Sequence, residues 1–310
     1  RGACLSQWLQ TTKLIGGLVS TICVFGGNGL LGSSLVPFLR NIGYSVVCLT
    51  RSEASQGEVR VNYNDQTSVN QALDFIRPSY IINLAAVTDV DRCELYPNVA
   101  YQGNVLVVER ICFWLSSQRR PPHLIHISTD HLYDSFGDDN EENIKIVNYY
   151  GFSKYAGELV AQGVDATILR TNFFGKSKCD GRASFSDWAY VALKDKRKIN
   201  IFDDIFFNPL HINTVVEVIT LILLNPIRGT FNLGSKFGFS KAQFIFNFAS
   251  VLGLSTKCAT VTQAQKIESR TQRPKDMRMD CMKIEAATTQ IVLPKLDDEI
   301  KKLKDEYTKV

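Results

Sequence analysis

Tyr150 and Lys154 stand four residues apart in Asn148-Tyr-Tyr-Gly-Phe-Ser-Lys-Tyr-Ala-Gly-Glu158. On a helix that spacing puts both side chains on one face. An ammonium beside a phenol favours the phenolate and lowers a Tyr pKa from about 10 toward working pH. Tyr150 is therefore a candidate proton donor to a developing alkoxide. Tyr149 is five residues from Lys154 and would point elsewhere, so spacing selects Tyr150. A second group lies in Ser128-Thr-Asp-His-Leu-Tyr133, where the Thr129 hydroxyl could donate to a carbonyl oxygen. Taken alone, a Y-x-x-x-K is a surface Tyr beside a surface Lys, and Ser-Thr-Asp is a cap or a turn. Position in the chain has to decide.

Other chemistries fit worse. No G-x-S-x-G elbow is present. His123 and His126 are three apart on an expected strand, so they face opposite sides and cannot chelate one metal. His131 and His211 have no ligand spacing, and no metal site is expected. The eight cysteines form no C-x-x-C pair, which favours free thiols in a reducing cytoplasm over a disulfide framework.

What positions the Tyr and Lys is a pattern that starts at Thr21-Ile-Cys-Val-Phe-Gly-Gly-Asn-Gly-Leu-Leu-Gly32. An apolar run ends in glycines, and Leu31, Leu35, Phe38 and Leu39 then repeat with a helical period. Bare N–H groups at a helix start favour an anion. Gly26 permits the turn, Gly29 lets a diphosphate approach, and Gly32 allows close packing. Asn28, Leu30 and Leu31 complete the turn, whose G-x-x-G-x-x-G spacing differs from the commoner dinucleotide fingerprint. The second strand ends Cys48-Leu-Thr-Arg-Ser52. Thr50 takes the place of the acid that binds a ribose 2′-OH, and Arg51 can meet a 2′-phosphate. The cofactor expected is NADP(H), with NAD(H) as the second choice, and Asn62 and Tyr63 are expected to flank the adenine.

Strand patterns at 45–49, 58–63, 80–85, 123–128, 166–169 and 230–233 alternate with helical ones at 68–76, 99–117, 152–162, 185–193, 215–224 and 240–252. Residues 295–310 read as a charged terminal helix. Alternation implies an α/β, doubly wound parallel sheet of the Rossmann kind with a smaller C-terminal substrate lobe. The expected division is a nucleotide-binding unit over 19–168 plus about 201–235, and a lobe over about 169–200 plus 236–310. Residues 1–18 are expected to form an extension to a trimmed or partial chain, since no Met opens it. With 310 residues and 45% of them hydrophobic, the chain can bury an ample core. A net charge of +4 with interspersed signs is not a nucleic-acid footprint, and no run of 18 apolar residues suggests a membrane span.

The glycine pattern, Asn83-Leu-Ala-Ala86, Ser128-Thr-Asp130 and Tyr150-Gly-Phe-Ser-Lys154 together resemble the extended short-chain dehydrogenase/reductases. Ala85-Ala-Val-Thr-Asp-Val-Asp-Arg-Cys-Glu94, Leu169-Arg-Thr-Asn-Phe-Phe-Gly175 and Arg273-Pro-Lys-Asp-Met-Arg-Met-Asp280 are similar to the dTDP-4-dehydrorhamnose reductase branch. The resemblance runs from about 20 to 285 and implies hydride transfer from NAD(P)H to C4 of a nucleotide-linked 4-keto-6-deoxysugar, in dTDP-rhamnose or related polysaccharide synthesis. It implies that Tyr150 protonates the C4 oxygen, that Lys154 binds the nicotinamide ribose, and that Thr129 bonds the keto oxygen. It places Ala85 and Ala86 at the cofactor, and Val87, Asn104, Asp130, Asn172 and Arg273 on the substrate side, Arg273 at the diphosphate. His131 stands where the reductases carry Tyr and the related dehydratases Glu, which argues against a dehydratase. Asn208-Pro-Leu210 matches the family's substrate loop only loosely. A nucleotide-sugar epimerase would use the same Tyr and Lys. The regulatory subunit of methionine adenosyltransferase, of the same branch, works by binding a partner enzyme. A homodimer is compatible with all three.

Overall fold

Short runs of β-branched and aliphatic residues bounded by Gly, Asn or Asp become strands when helices cover both their faces. A computed structural model describes residues 20–51, 57–264, 271–288 and 290–308; the expected extension at 1–18 lies outside these. The central sheet has seven strands: β1 (Thr21–Phe25), β2 (Ser45–Thr50), β3 (Glu58–Arg60), β4 (Tyr80–Asn83), β5 (His123–Thr129), β6 (Ala166–Thr171) and β7 (Gly229–Leu233). Their order is β7-β6-β5-β4-β1-β2-β3, and every neighbouring pair is parallel. The order reverses between β1 and β4, which opens a crevice at their carboxyl ends.

Helices pack on both faces, as the alternation predicts. On one, Leu31 and, from α1 (Gly32–Asn41), Leu35 and Leu39 share a cluster with Val215, Val216 and Ile219 of the helix Ile212–Leu224. On the other, Val69 and Leu73 of α2 (Gln66–Ile76) share a cluster with Val107, Ile111 and Leu115 of α3 (Val107–Ser117). The segment expected as one helix over 99–117 is helical throughout and starts at Pro97, with a π-helical turn inside it. A helical turn at Pro97–Tyr101 leads through a π-helical turn at Gln102–Leu106 into α3. Asn104 is buried in this wider turn, and a Cβ on the neighbouring Gly103 would stand 2.4 Å from Val87 Cγ2, so the turn packs closely on the 87–88 loop. The third strand stops at Arg60, and the terminal helix is two short ones, Leu296–Lys301 and Leu303–Thr308.

The smaller lobe is built around a cluster of its own. Phe174, Phe207, Phe244, Phe248 and Tyr307 pack there with Ile201 and Ile205. The strand Ile199–Phe202 pairs in parallel with Ala259–Thr262. Thus β6 runs past the expected division at 168, and residues 201–207 pack with the lobe. Helix α4 (Tyr149–Ala161) begins where Asn148 Oδ1 accepts from Gly151 N at 2.8 Å, while Asn148 Nδ2 donates to the Gln272 carbonyl at 2.9 Å. One residue thus caps the helix and ties it to the lobe.

Glu158 on α4 and Arg170 on β6 form a buried ion pair at 2.6 Å, and Arg170 also donates to Tyr133 Oη at 2.8 Å and the Glu141 carbonyl at 2.7 Å. Removing one partner leaves an uncompensated charge away from water. Glu158→Leu and Arg170→Met should each lower unfolding free energy by about 3–5 kcal/mol. The double variant should lose less than the sum of the two, a coupling that denaturant titration of the four-membered cycle measures.

Candidate active site

Two cavities meet above the carboxyl ends of the sheet. The smaller, about 340 Å³, is lined by Gly26, Gly29, Leu30, Leu31, Gly32, Ala86, Thr129, Asp130, Tyr150, Lys154 and Asn172, among others. The larger, about 700 Å³, lies against the lobe and is walled by Trp188, Phe202, Lys241, Arg273 and Lys275, among others. Val90, His131 and Phe185 border both, so the two spaces are continuous around His131.

The glycine turn builds the floor of the smaller cavity. Gly26 has φ +75°, and a Cβ on it would stand 2.8 Å from Ala85 N. A Cβ on Gly32 would stand 2.2 Å from the Gly27 carbonyl oxygen, so the third glycine packs the helix start onto the turn itself. Gly27, unremarked in the sequence pattern, is also needed: a Cβ there would stand 2.6 Å from Cys48 Sγ. Gly29 differs from the others. Its face opens onto the cavity, where a Cβ would approach only the Gly26 carbonyl at 3.3 Å and Arg182 Nη1 at 3.8 Å. Leu31 caps α1 without a side-chain hydrogen bond. A surface of bare backbone with an uncapped helix start fits a diphosphate.

Farther along β2, Asn28 Nδ2 approaches Thr50 Oγ1 at 3.4 Å, and Arg51 is exposed with its guanidinium 5.8 Å from the centre of the Tyr63 ring. Tyr63 corrects an expectation. It is buried against Phe25, with ring centres 5.3 Å apart, and its hydroxyl donates to the Leu49 carbonyl at 2.5 Å. Its ring belongs to the core and is not presented to an adenine. Asn62 is exposed beside it, its Oδ1 accepting from Asn64 N at 3.1 Å.

The Tyr and Lys chosen by spacing share one buried face of α4. Tyr150 and Thr129 both face the smaller cavity with Lys154. Lys154 Nζ donates to the Ile127 carbonyl at 2.6 Å. Burial pushes its pKa down to about 8, against the opposing field of Glu158. Burial also pushes the Tyr150 phenol up; the contribution that lowers it comes from Thr129, not from Lys154 as the spacing suggested. The reason is geometric, since the ammonium is turned to a main-chain oxygen.

Around them, burial raises the Asp130 carboxyl to about 6, while Asn172 Nδ2 donates to it at 2.6 Å. His131 lies edge-on to Tyr150, ring centres 5.3 Å apart, and burial with the nearby Lys241 and Arg273 lowers its pKa to about 3. The imidazole is therefore neutral, and its Nδ1 has no hydrogen-bond partner among the described residues. Asn104 and Val87 line neither cavity. Asn104 Oδ1 accepts from Val87 N at 2.7 Å, and its Nδ2 donates to Val87 O at 3.0 Å and Ser153 Oγ at 2.8 Å. It holds the 87–88 loop to α4. Arg273 walls the larger cavity but is held by Asp91, Nη1–Oδ1 2.9 Å and Nη2–Oδ2 2.8 Å. That guanidinium keeps the Asp91 carboxyl well below its usual range.

Lys241, Phe185, Trp188 and Arg182 escaped the sequence reading. Lys241 Nζ lies 3.5 Å from the centre of the Phe207 ring and 4.5 Å from that of Phe185. Burial lowers it to about 8. One signal was available: Lys241 opens the helix Lys241–Leu252, where the dipole disfavours a cation. Among the described residues no group of three or more His, Cys, Asp or Glu could hold a metal, and no helix is long and apolar enough to cross a membrane.

Known proteins share this fold. A dTDP-4-dehydrorhamnose reductase from Bacillus anthracis, solved in complex with NADP, superposes with a TM-score of 0.83 at 22% identity, covering 93% of this chain and 100% of that one. A protein of Haloferax volcanii named as a probable low-salt glycan biosynthesis reductase is 28% identical over 92% of this chain and 97% of its own. The methionine adenosyltransferase 2 subunit beta of Pongo abelii is 26% identical over 85% of this chain and 81% of its own. The family described as RmlD substrate binding domain matches residues 20–309, nearly the whole length, and the chain belongs to it.

Proposed function

We propose that this protein uses NADPH to reduce the 4-keto group of a nucleotide-linked 4-keto-6-deoxysugar. The coarser part, an oxidoreductase acting on a nucleotide sugar for glycan or polysaccharide synthesis, is what family membership and the named reductases support. The observation that carries the finer reading is the placement of Thr129, Tyr150 and Lys154 in the smaller cavity, beside the His131 border with the larger one. In this reading the sheet unit holds the cofactor and the lobe closes on the sugar nucleotide. The bound dinucleotide supplies the hydride. The Tyr150 phenol, kept protonated by burial, gives its proton to the C4 oxygen, and Thr129 donates to the same oxygen. Lys154 holds the ribose of the cofactor. The neutral His131 meets the sugar, and Lys241 presents a cation to the diphosphate that links the sugar to its nucleoside. Incubation with a panel of 4-keto sugar nucleotides and NADPH, following absorbance and product identity, tests the reading and separates reduction from epimerisation.

A second reading, a regulatory subunit that binds a partner enzyme, rests on the relative named as a methionine adenosyltransferase subunit. Capture of such an enzyme together with inertness toward the whole panel would replace the reductase reading.

Tyr150→Phe keeps the ring and removes the proton, so turnover should fall roughly 10²–10⁴-fold with NADPH binding largely kept. A variant near the wild-type rate would take Tyr150 out of the mechanism. Thr50 and Arg51 at the end of β2 favour a 2′-phosphate. Titration should show tighter NADPH than NADH, and Arg51→Ala should erase the difference. Because burial brings Lys154 to about 8, its charge is present below that pH and lost above it. NADPH affinity measured without sugar should therefore weaken as pH rises through about 8, and Lys154→Met should be weak throughout and flat across that range.

A further inference from the structure

The lobe sends one segment back over the glycine turn. Between Gly175 and the helix Phe185–Lys194, residues 176–184 are fastened at several points. Lys176 N donates to the Glu306 carboxylate at 2.8 Å, and Ser177 N to Asp187 Oδ2 at 3.0 Å. Cys179 Sγ donates to the Asn28 carbonyl at 3.0 Å, which lays the segment on the turn between β1 and α1. Ser184 then caps the next helix, with Asp187 returning the bond. Between those last two anchors Gly181 turns the chain with φ +71°. Arg182 follows it, lines the smaller cavity, and carries Nη1 to 3.8 Å from where a Cβ on Gly29 would stand. Gly29 is the position whose face is left open, so the guanidinium stands across the space kept clear for a diphosphate.

We propose that Arg182 is a cofactor-binding residue that clamps the dinucleotide diphosphate from the lobe side, opposite the main-chain N–H groups of the glycine turn. The proposal rests on the dinucleotide reading of the smaller cavity. A guanidinium fork can take one non-bridging oxygen from each phosphate, which an N–H cradle on the other side leaves available. Among the described residues no carboxylate holds Arg182, in contrast to Arg273 and Arg170. The diphosphate is common to NADPH and NADH, whereas Arg51 lies at the end of β2 and meets only the 2′-phosphate. The two arginines therefore have separable signatures.

The test is titration of NADPH, NADH and adenosine 2′-monophosphate into the wild type, Arg182→Met, Arg182→Lys and Arg51→Ala. A charged hydrogen bond of the usual strength predicts that Arg182→Met weakens NADPH and NADH alike by roughly 10–100-fold. Adenosine 2′-monophosphate, which lacks the diphosphate, should bind Arg182→Met as it binds the wild type. Arg182→Lys should recover part of the loss, and the exposed position should leave the thermal midpoint unchanged. Dinucleotide affinities of Arg182→Met within about twofold of wild type, or a loss confined to NADPH, would overturn the clamp. A wild-type protein that binds neither dinucleotide would instead overturn the cofactor reading beneath it.

Discussion

Glu158 and Arg170, both without appreciable exposure, hold α4 to the sheet. The carboxylate receives Arg170 Nε at 3.1 and 3.0 Å and Nη2 at 2.6 Å. The other guanidinium nitrogen reaches Tyr133, whose hydroxyl donates to Asn232 Oδ1 on β7 at 2.6 Å. Asn232 in turn donates to the carbonyls of Asp139 and Asp280 at 2.9 and 3.0 Å. One buried pair thus fixes a helix, two strands and the chain entering the lobe. Buried charges are tolerated when every donor and acceptor around them is used, and the network meets that condition. Lys154, one turn before Glu158, takes its position from the same anchorage, and Tyr150 one turn earlier again.

Burial near α4 sets the proton chemistry by the same physics. Desolvation disfavours whichever form of a group is charged. It raises Tyr150 and Asp130 and lowers Lys154, Lys241 and His131. The outcome is a neutral phenol and a neutral imidazole beside two ammonium groups that remain charged at neutral pH. A site of that kind can give a proton to a developing alkoxide and hold anionic ligands, and the two tasks fall to different side chains.

Much of this was legible in the chain. The strand–glycine–helix run, the alternation of strands and helices and the Tyr150–Lys154 spacing depend on residues near one another in sequence, where period and φ preference act directly. Misses occurred where distant segments compete. Period reads 99–117 as one helix, as found, but gives no sign of the π-helical turn at Gln102–Leu106, where Asn104 bonds across to Val87 and Ser153. Tyr63 follows a short strand with nothing beside it in sequence to mark it as core, yet Phe25 from β1 and the Leu49 carbonyl from β2 bury it.

The sequence by itself determined the doubly wound sheet, the glycine turn after β1 and the shared face of Tyr150 and Lys154 on α4, because each is a local pattern of size, period or polarity. Only the tertiary structure decided where charges point. Lys154 turns to Ile127, Arg273 to Asp91, Lys241 lies over Phe185 and Phe207, and Arg182 reaches the glycine turn from the lobe. A long cationic side chain has many rotamers, and the one it adopts is set by the carbonyl, carboxylate or ring that folding brings within a few ångströms. That neighbour comes from elsewhere in the chain and leaves no mark beside the residue it holds.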